Sequence, residues 1–336
     1  MYYFQQFKSE LSTAQLRTLS SRFEALESVK DLSVLLKKET PALMKMAESP
    51  SYQEFYIPKP GGEKRFIQHP APTLKAVQQE LNRYLQAVYY GIRPPCVHGF
   101  VVSPGDESQP RNIYTNALAH TRGHWFLNID LKDFFHTVTA QHVFDLWRHI
   151  FWFPEHLSTL LACLCCYGGR LPMGAPTSPV LSNLVFYELD GQLLQLARSS
   201  DAIYTRYADD LTFSFPRPPA DDFTDRVRHL LLTHGFTVNE KKVRLQGRLE
   251  QPEITGLVVG HGAKPVLSKS YLKTLKKEVV IYRWLISEAV QKRGFFQQWL
   301  FDQFRKSITG QIEFAGFVLG KGDRVYQRLA GKMRWG

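Results

Sequence analysis

The sequence predicts a mixed α+β fold on three observations. First, Ile203-Tyr204-Thr205-Arg206-Tyr207-Ala208-Asp209-Asp210-Leu211-Thr212-Phe213-Ser214-Phe215 sets two apolar, β-favouring runs on either side of adjacent carboxylates. That is the pattern of a hairpin with acids at its tip. Second, Trp125-Phe126-Leu127-Asn128-Ile129-Asp130 is an apolar strand that ends in an acid. Third, helical spacing of apolar residues recurs around these strands, as in Leu74, Val77, Leu81, Leu85 and Val88.

Adjacent carboxylates repel, and each costs free energy when desolvated. Asp209 beside Asp210 therefore calls for a divalent cation between them or water over them. An Asp-Asp pair in a loop is ordinarily a solvated turn. If Asp130 meets the pair across a sheet, three convergent carboxylates supply what two hard cations need for in-line phosphoryl displacement. Asp130, Asp209 and Asp210 are the candidate catalytic and metal-binding residues.

In chain order, Leu11 to about Ser49 reads as helical and amphipathic, with Pro41 interrupting the pattern. Tyr52 to Gln68 reads as strand, glycine turn, strand. Just past that turn, Lys64 and Arg65 are placed either to lie on a triphosphate or to be the solvated charges of a surface hairpin. Thr73 to Tyr90 is one amphipathic helix, and Ser103 to Arg111 is a polar loop. Asn116 and His120 stand one helical turn apart, the spacing of a polar pair inside a core helix.

Past Asp130 come Phe134 and Phe135. A ring packed under the sugar of an incoming nucleotide leaves no room for a 2′-hydroxyl. Phe135 is the candidate gate, although a core role is equally open for one of the two. Gln141 to Cys166 is apolar and helical. Gly174, among three prolines, gives a loop whose backbone can approach a nucleotide, and Thr177 to Asp190 continues as a helix.

Asp221 to His234 is another amphipathic helix, and Gly235 to Val243 turns into a strand. There Lys242 is placed to protonate or neutralise departing pyrophosphate. Glu253 to Val259 is a short strand. Leu272 to Val290 marks a long basic helix; Leu300, Phe304 and Ile308 mark a second, and a short basic segment follows.

With 336 residues, 44% of them hydrophobic, the chain can bury a large core divided into two or three subdomains. No apolar stretch approaches the roughly 20 residues of a membrane span, and Met1 to Lys8 lacks the order of a signal peptide. The expectation is a soluble, intracellular protein without a membrane partner. Cys163, Cys165 and Cys166 crowd an apolar segment and read as buried helix, with neither a disulfide framework nor a fourth metal ligand in view. The net charge of +11 is concentrated from Lys264 onward, where 15 basic and 5 acidic residues interleave with Tyr271, Tyr282, Trp284, Trp299 and Tyr326. Such a region favours nucleic acid.

Together these motifs resemble a reverse transcriptase of the bacterial retron type, over about Tyr52 to Val259 with a tail of thumb size. Tyr207-Ala208-Asp209-Asp210 is similar to the family's YxDD box, and Asp130 in Asp-Leu-Lys-Asp-Phe-Phe to its first metal ligand. Leu171 to Asn183 is similar to its LPQGAPTSPxLSN stretch, and Asn239 with Lys242 to its NxxK element. Asn116-Ala117-Leu118-Ala119-His120 matches the NAxxH element of retrons, and Ile254-Thr255-Gly256 is close to their VTG. Met173 departs from the family's Gln, removing a side-chain hydrogen bond near the nucleotide sugar. Ile254 departs from Val, and the Ser103 to Arg111 loop lacks a compact basic turn.

The resemblance implies a right-hand polymerase fold with palm, fingers and an α-helical thumb. The expected boundaries are an N-terminal helical segment at 1–50, fingers and the start of the palm at 51–125, palm with inserted fingers helices at 126–263, and a basic thumb at 264–336. It implies RNA-directed DNA synthesis in the bacterial cytoplasm, with two Mg²⁺ ions on Asp130 and Asp209 and Asp210 assisting. Lys64, Arg65, Phe135, Gly174 and Lys242 would meet the deoxynucleotide. Asn116, His120, Lys264, Lys269, Lys273, Lys276 and Lys277 would meet RNA or the RNA–DNA product. It further implies a dedicated noncoding RNA as template and primer, branched multicopy single-stranded DNA as product, and phage defence with an effector protein. Two rivals share the motifs or the charge: a group II intron-like or diversity-generating reverse transcriptase, and a nonenzymatic RNA-binding scaffold with a polymerase-like palm.

Overall fold

The computed structural model describes residues 7–8, 10–58, 62–260, 262–289 and 295–333. Part of the expected glycine turn, at 59–61, and Val290 lie outside them. A two-residue strand β1 (Phe7–Lys8) precedes three helices, α1 (Thr13–Glu24), α2 (Val29–Leu36) and α3 (Thr40–Glu48). The stretch read as one interrupted pattern is therefore three helices, and Pro41 stands in the first turn of the last of them. In the first turn its missing N–H would have no helical partner anyway. Ser12 caps α1 in a reciprocal box with Gln15, and Ser28 caps α2.

Strands β2 (Tyr52–Pro58) and β3 (Lys64–Pro70) form the expected hairpin, and α4 (Pro72–Ile92) the expected helix. After β4 (Val102–Ser103), which pairs parallel with β1, comes α5 (Ile113–Ala119) and then β5 (Trp125–Asp130). Next are α6 (Phe134–Thr137), α7 (Ala140–Asp145), a π-helical turn at Leu146–Ile150 and α8 (Glu155–Cys165). The helix expected over Thr177 to Asp190 is two, α9 (Ser178–Val185) and α10 (Tyr187–Ser199). Strands β6 (Ile203–Tyr207) and β7 (Asp210–Phe215) form the acidic hairpin, and α11 (Phe223–Thr233) follows.

Two expected strands are corrected. Gly235 to Val243 makes only one bridge, Val238 to Leu131, then a 3₁₀ turn at Glu240–Lys242; the strand β8 is Arg244–Gly247. Glu253 to Val259 folds back on itself as β9 (Glu253–Ile254) and β10 (Leu257–Val258). The reason is local: Thr255 and Gly256 both have positive φ, at 48° and 79°, as a two-residue turn of this hand requires. The chain continues through α12 (Lys269–Ala289), α13 (Phe295–Leu319) and α14 (Arg324–Met333).

The central sheet runs β6-β7-β5-β8, antiparallel throughout. Alternation along the strands divides its two faces. Leu127, Ile129, Tyr204, Leu211, Phe213 and Phe215 point into the large core shared with α4, α8, α9 and α10. Phe126 points the other way, into a second cluster with Ala117, Ile254 and Leu257, against Leu275, Val279, Tyr282, Ile308 and Ile312 of the C-terminal helices. Asp130 and Asp210 fall on this second face by the same alternation. Cys165 and Cys166 are buried, as expected of core helix, and Cys163 is exposed.

Candidate active site

The sheet register brings the sequence-distant acids together. Asp130, the last residue of β5, stands directly opposite Asp210, the first residue of β7, and Tyr207 flanks Asp210 on the other side. Directly opposed Cα atoms in an antiparallel pair are about 4.5 to 5.5 Å apart. Asp209 lies in the two-residue turn, tied to the same place because its carbonyl accepts a 3.0 Å hydrogen bond from the Leu131 amide.

The turn is strained and held from below. Ala208 has φ 59°, a left-handed value that a non-glycine residue adopts only when its surroundings enforce it. Arg206 supplies one constraint, donating from Nη1 to the Ala208 carbonyl at 3.1 Å. Gly99 supplies another, since a Cβ there would sit 2.5 Å from the Ala208 nitrogen. Arg206 is fully buried and pairs bidentately with buried Asp190, Nε to Oδ1 at 2.8 Å and Nη2 to Oδ2 at 2.6 Å. Tyr204 donates to the same Asp190 carboxylate, and Asn183 accepts from Arg206 while donating to the Gly99 carbonyl. Burial opposes the guanidinium charge, but Asp190 outweighs it and holds Arg206 charged.

Desolvation, reinforced by the Asp130 carboxylate, raises the pKa of Asp209. Desolvation, then Asp209 and Asp130, pushes that of Asp210 up to about 7. Because the Asp210 side chain reaches solvent, water relieves part of its desolvation, and the repulsion between carboxylates is the firmer cause.

Asp130 is already neutralised. Its Oδ2 accepts from Lys242 Nζ at 2.7 Å and its Oδ1 from Asn239 Nδ2 at 3.1 Å. Among the described residues no three carboxylate, imidazole or thiolate groups are gathered as a ready chelate. An ammonium occupies the position beside Asp130 where a cation would serve. Hard oxygen donors that repel one another and recruit an ammonium fit Mg²⁺, which would displace Lys242.

A raised carboxyl pKa means that the folded state binds more protons than the unfolded between the ordinary carboxylate range and about 7, so stability falls as pH rises through that window. The melting-temperature advantage of Asp210→Asn over the natural chain should therefore grow from pH 5 to pH 8 without metal and shrink with Mg²⁺. Parallel melting curves in both conditions would contradict it.

The other expected residues distribute unevenly. Arg65 lies close enough for its field to lower the Asp209 pKa, whereas Lys64 is exposed at the start of β3. Gly174 owes its identity to the hairpin: its φ is 129° and a Cβ would stand 2.8 Å from the Gln68 carbonyl, beside the Met173 carbonyl that accepts from the Gln68 amide. Phe134 is buried in the core, while half-buried Phe135 packs on Phe100, which borders Tyr207 and Ala208. Lys264, Lys269, Lys273, Lys276 and Lys277 are all exposed. Four of them recur along one side of α12, opposite buried Leu275, Val279 and Tyr282.

The expected RNA contacts at Asn116 and His120 are corrected. Asn116 is 1% exposed and His120 0%, and both His120 ring nitrogens are engaged, with Ser214 Oγ and Thr205 Oγ1, each at 2.7 Å. They are buried polar groups of α5 and its C-terminus. Sequence reasoning missed Arg206, Asp190 and Asn183. Its one available signal was an arginine at an inward position of an apolar strand.

Comparisons with known proteins place the chain among reverse transcriptases. The family described as reverse transcriptase (RNA-dependent DNA polymerase) matches residues 57–259. The Retron Ec86 reverse transcriptase of Escherichia coli is 32% identical over 293 residues, 85% of this chain and 87% of that one. The Retron Mx162 reverse transcriptase of Myxococcus xanthus is 36% identical over 244 residues, 63% of this chain and 48% of that one, so the alignment spans about half of that relative. Among solved structures, telomerase from Candida albicans with a fragment of telomeric RNA aligns with 86% of this chain and 64% of that chain, at 11% identity and a TM-score of 0.47.

Proposed function

The chain belongs to the reverse transcriptase family, in its retron type, and from that premise we propose that it copies a cognate structured noncoding RNA into branched multicopy single-stranded DNA. The activity class is RNA-directed DNA polymerase. What carries the reading is the register that sets Asp130 opposite Asp210 with Asp209 in the adjoining turn.

Asp130 and Asp209 would hold two Mg²⁺ ions with Asp210 assisting. When bound, such ions supply a lowered pKa at the primer hydroxyl and charge stabilisation at the leaving oxygens. Arg65 and Lys64 would neutralise the triphosphate of the incoming deoxynucleotide. Lys242, released from Asp130, would meet pyrophosphate. Phe135 would exclude the 2′-hydroxyl of a ribonucleotide, and the hairpin held by the Met173–Gly174 backbone would close over the base. The 264–336 region, as thumb, would grip the template–primer helix through Lys264 and the basic side of α12, chiefly at phosphates. Cytoplasmic location, phage defence and an effector partner complete the proposal by analogy with the retron type. Among the described residues no helix is long and apolar enough to cross a membrane.

Purified protein with an RNA template–primer, Mg²⁺ and deoxynucleotides should extend the primer, and ribonucleotides should serve poorly. No extension on any structured RNA that copurifies with the protein would contradict the proposal. RNA affinity should also fall steeply with salt. Neutralising Lys264, Lys269, Lys273, Lys276 and Lys277 together should flatten the slope of log affinity against log salt by up to about four units. An unaltered slope would place the grip elsewhere.

A further inference from the structure

Helix α5 touches two parts of the molecule that do different work. At its C-terminal end, His120 bridges β6 and β7 by bonding Thr205 on one strand and Ser214 on the other. These are the two strands whose turn carries Asp209 and Asp210. Burial, with the field of His98, pushes the His120 pKa down to about 3, so the ring is neutral. A neutral imidazole has one donor and one acceptor nitrogen, and two hydroxyls satisfy both.

Along the same helix, Asn116 Nδ2 meets Thr255 Oγ1 at 3.5 Å, and Thr255 Oγ1 donates to the Ile113 carbonyl at 3.1 Å. Thr255 holds this place in the left-handed turn between β9 and β10. Ala117 packs into the cluster that contains Ile254, Leu257 and the C-terminal helices, and the Tyr114 ring meets Phe317 of α13 at 6.0 Å. Ile113 packs with Tyr207 and Ala208 of the catalytic turn itself, and Phe314 of α13 packs against that group.

We propose that α5 is a strut that sets the catalytic turn from the seating of the C-terminal helices, with His120 and Thr255 as positioning residues at its two ends. The two retron-type elements, Asn116 to His120 and Ile254 to Gly256, act as one unit in this account. Their work is mechanical coupling, and neither reads RNA directly. A template–primer helix that settles α12 and α13 thereby registers the carboxylates. The inference rests on the polymerase reading above, and its test separates the two.

Thr255→Ala removes the hydroxyl from a half-buried turn and leaves its backbone pairing intact, Thr255→Ser restores it, and His120→Leu leaves Thr205 and Ser214 unpaired. Extension kinetics on a fixed template–primer should show kcat reduced about tenfold to a hundredfold in Thr255→Ala and His120→Leu, the scale of a small misplacement of reacting groups. KM for deoxynucleotide and RNA affinity should be unchanged, and Thr255→Ser should recover kcat. Hydrogen exchange of the 203–215 peptide should be faster in the two impaired variants. If His120→Leu does not fold, Thr255→Ala alone decides. Unchanged kcat and exchange in Thr255→Ala would overturn the strut, and so would RNA affinity that falls in step with kcat. Absence of extension by the natural chain would refute the polymerase reading instead, while exchange of the 203–215 peptide would still judge the strut.

Discussion

Replacing Asp209 with Asn should abolish DNA synthesis and leave RNA binding largely intact. The carboxylate sits in the turn next to Asp210, which stands opposite Asp130, and its loss removes one of the oxygen donors on which a divalent ion would rest. Charge stabilisation of the transition state by such ions amounts to several kcal/mol, a fall in rate on the order of 10³-fold or more. The exposed lysines proposed to hold RNA lie far along the chain, so RNA affinity should survive. Removing a repelled charge should also stabilise the metal-free fold. Synthesis by Asp209→Asn at the natural rate would remove that residue from the site, whereas loss of RNA binding together with synthesis would indicate a collapsed fold.

The second large effect lies beneath the turn, at Arg206. Arg206→Leu leaves the Asp190 carboxylate buried without its counter-charge, and also strips a donor from the Ala208 carbonyl and the Asn183 side-chain oxygen. Breaking a buried pair from one side costs about 3 to 5 kcal/mol. Chemical denaturation should report a loss of that size, and synthesis should fall with it because Ala208 is no longer held at positive φ. Replacing both partners, Arg206→Met with Asp190→Leu, should recover much of the stability, since no buried charge remains, but not the synthesis. Equal stability of Arg206→Leu and the natural chain would show that the pair bears no weight. Full synthesis by the double variant would show that it does not position the turn.

These two sites differ in how visible they are from sequence. Period-two alternation and the terminal acids made β5 and the β6–β7 hairpin legible, because both signals are local. Asp190 lies 16 residues from Arg206, on a helix whose own pattern reads as ordinary, and only packing reveals their contact. The split of Glu253 to Val259 into a hairpin was hidden for a different reason. Thr255 adopts a left-handed backbone that a β-branched residue rarely takes, so nothing but Gly256 announced the turn. At Asn116 and His120 the spacing alone correctly pointed to a core helix, while family likeness pointed to RNA. Burial decides for the core. The sequence reads Lys242 as a partner of departing pyrophosphate, and only the fold shows that its ammonium rests on Asp130.

Asp130, Asp209 and Asp210 are proposed to hold divalent ions jointly beside the primer terminus. The most direct measurement counts bound Mn²⁺, as a spectroscopic substitute for Mg²⁺, in protein carrying an RNA template, a dideoxy-terminated primer and the matching deoxynucleotide. Two ions should bind to the natural chain, and binding should fail in the Asp130→Asn, Asp209→Asn double variant with RNA still held. Two ions retained by that variant would contradict the account.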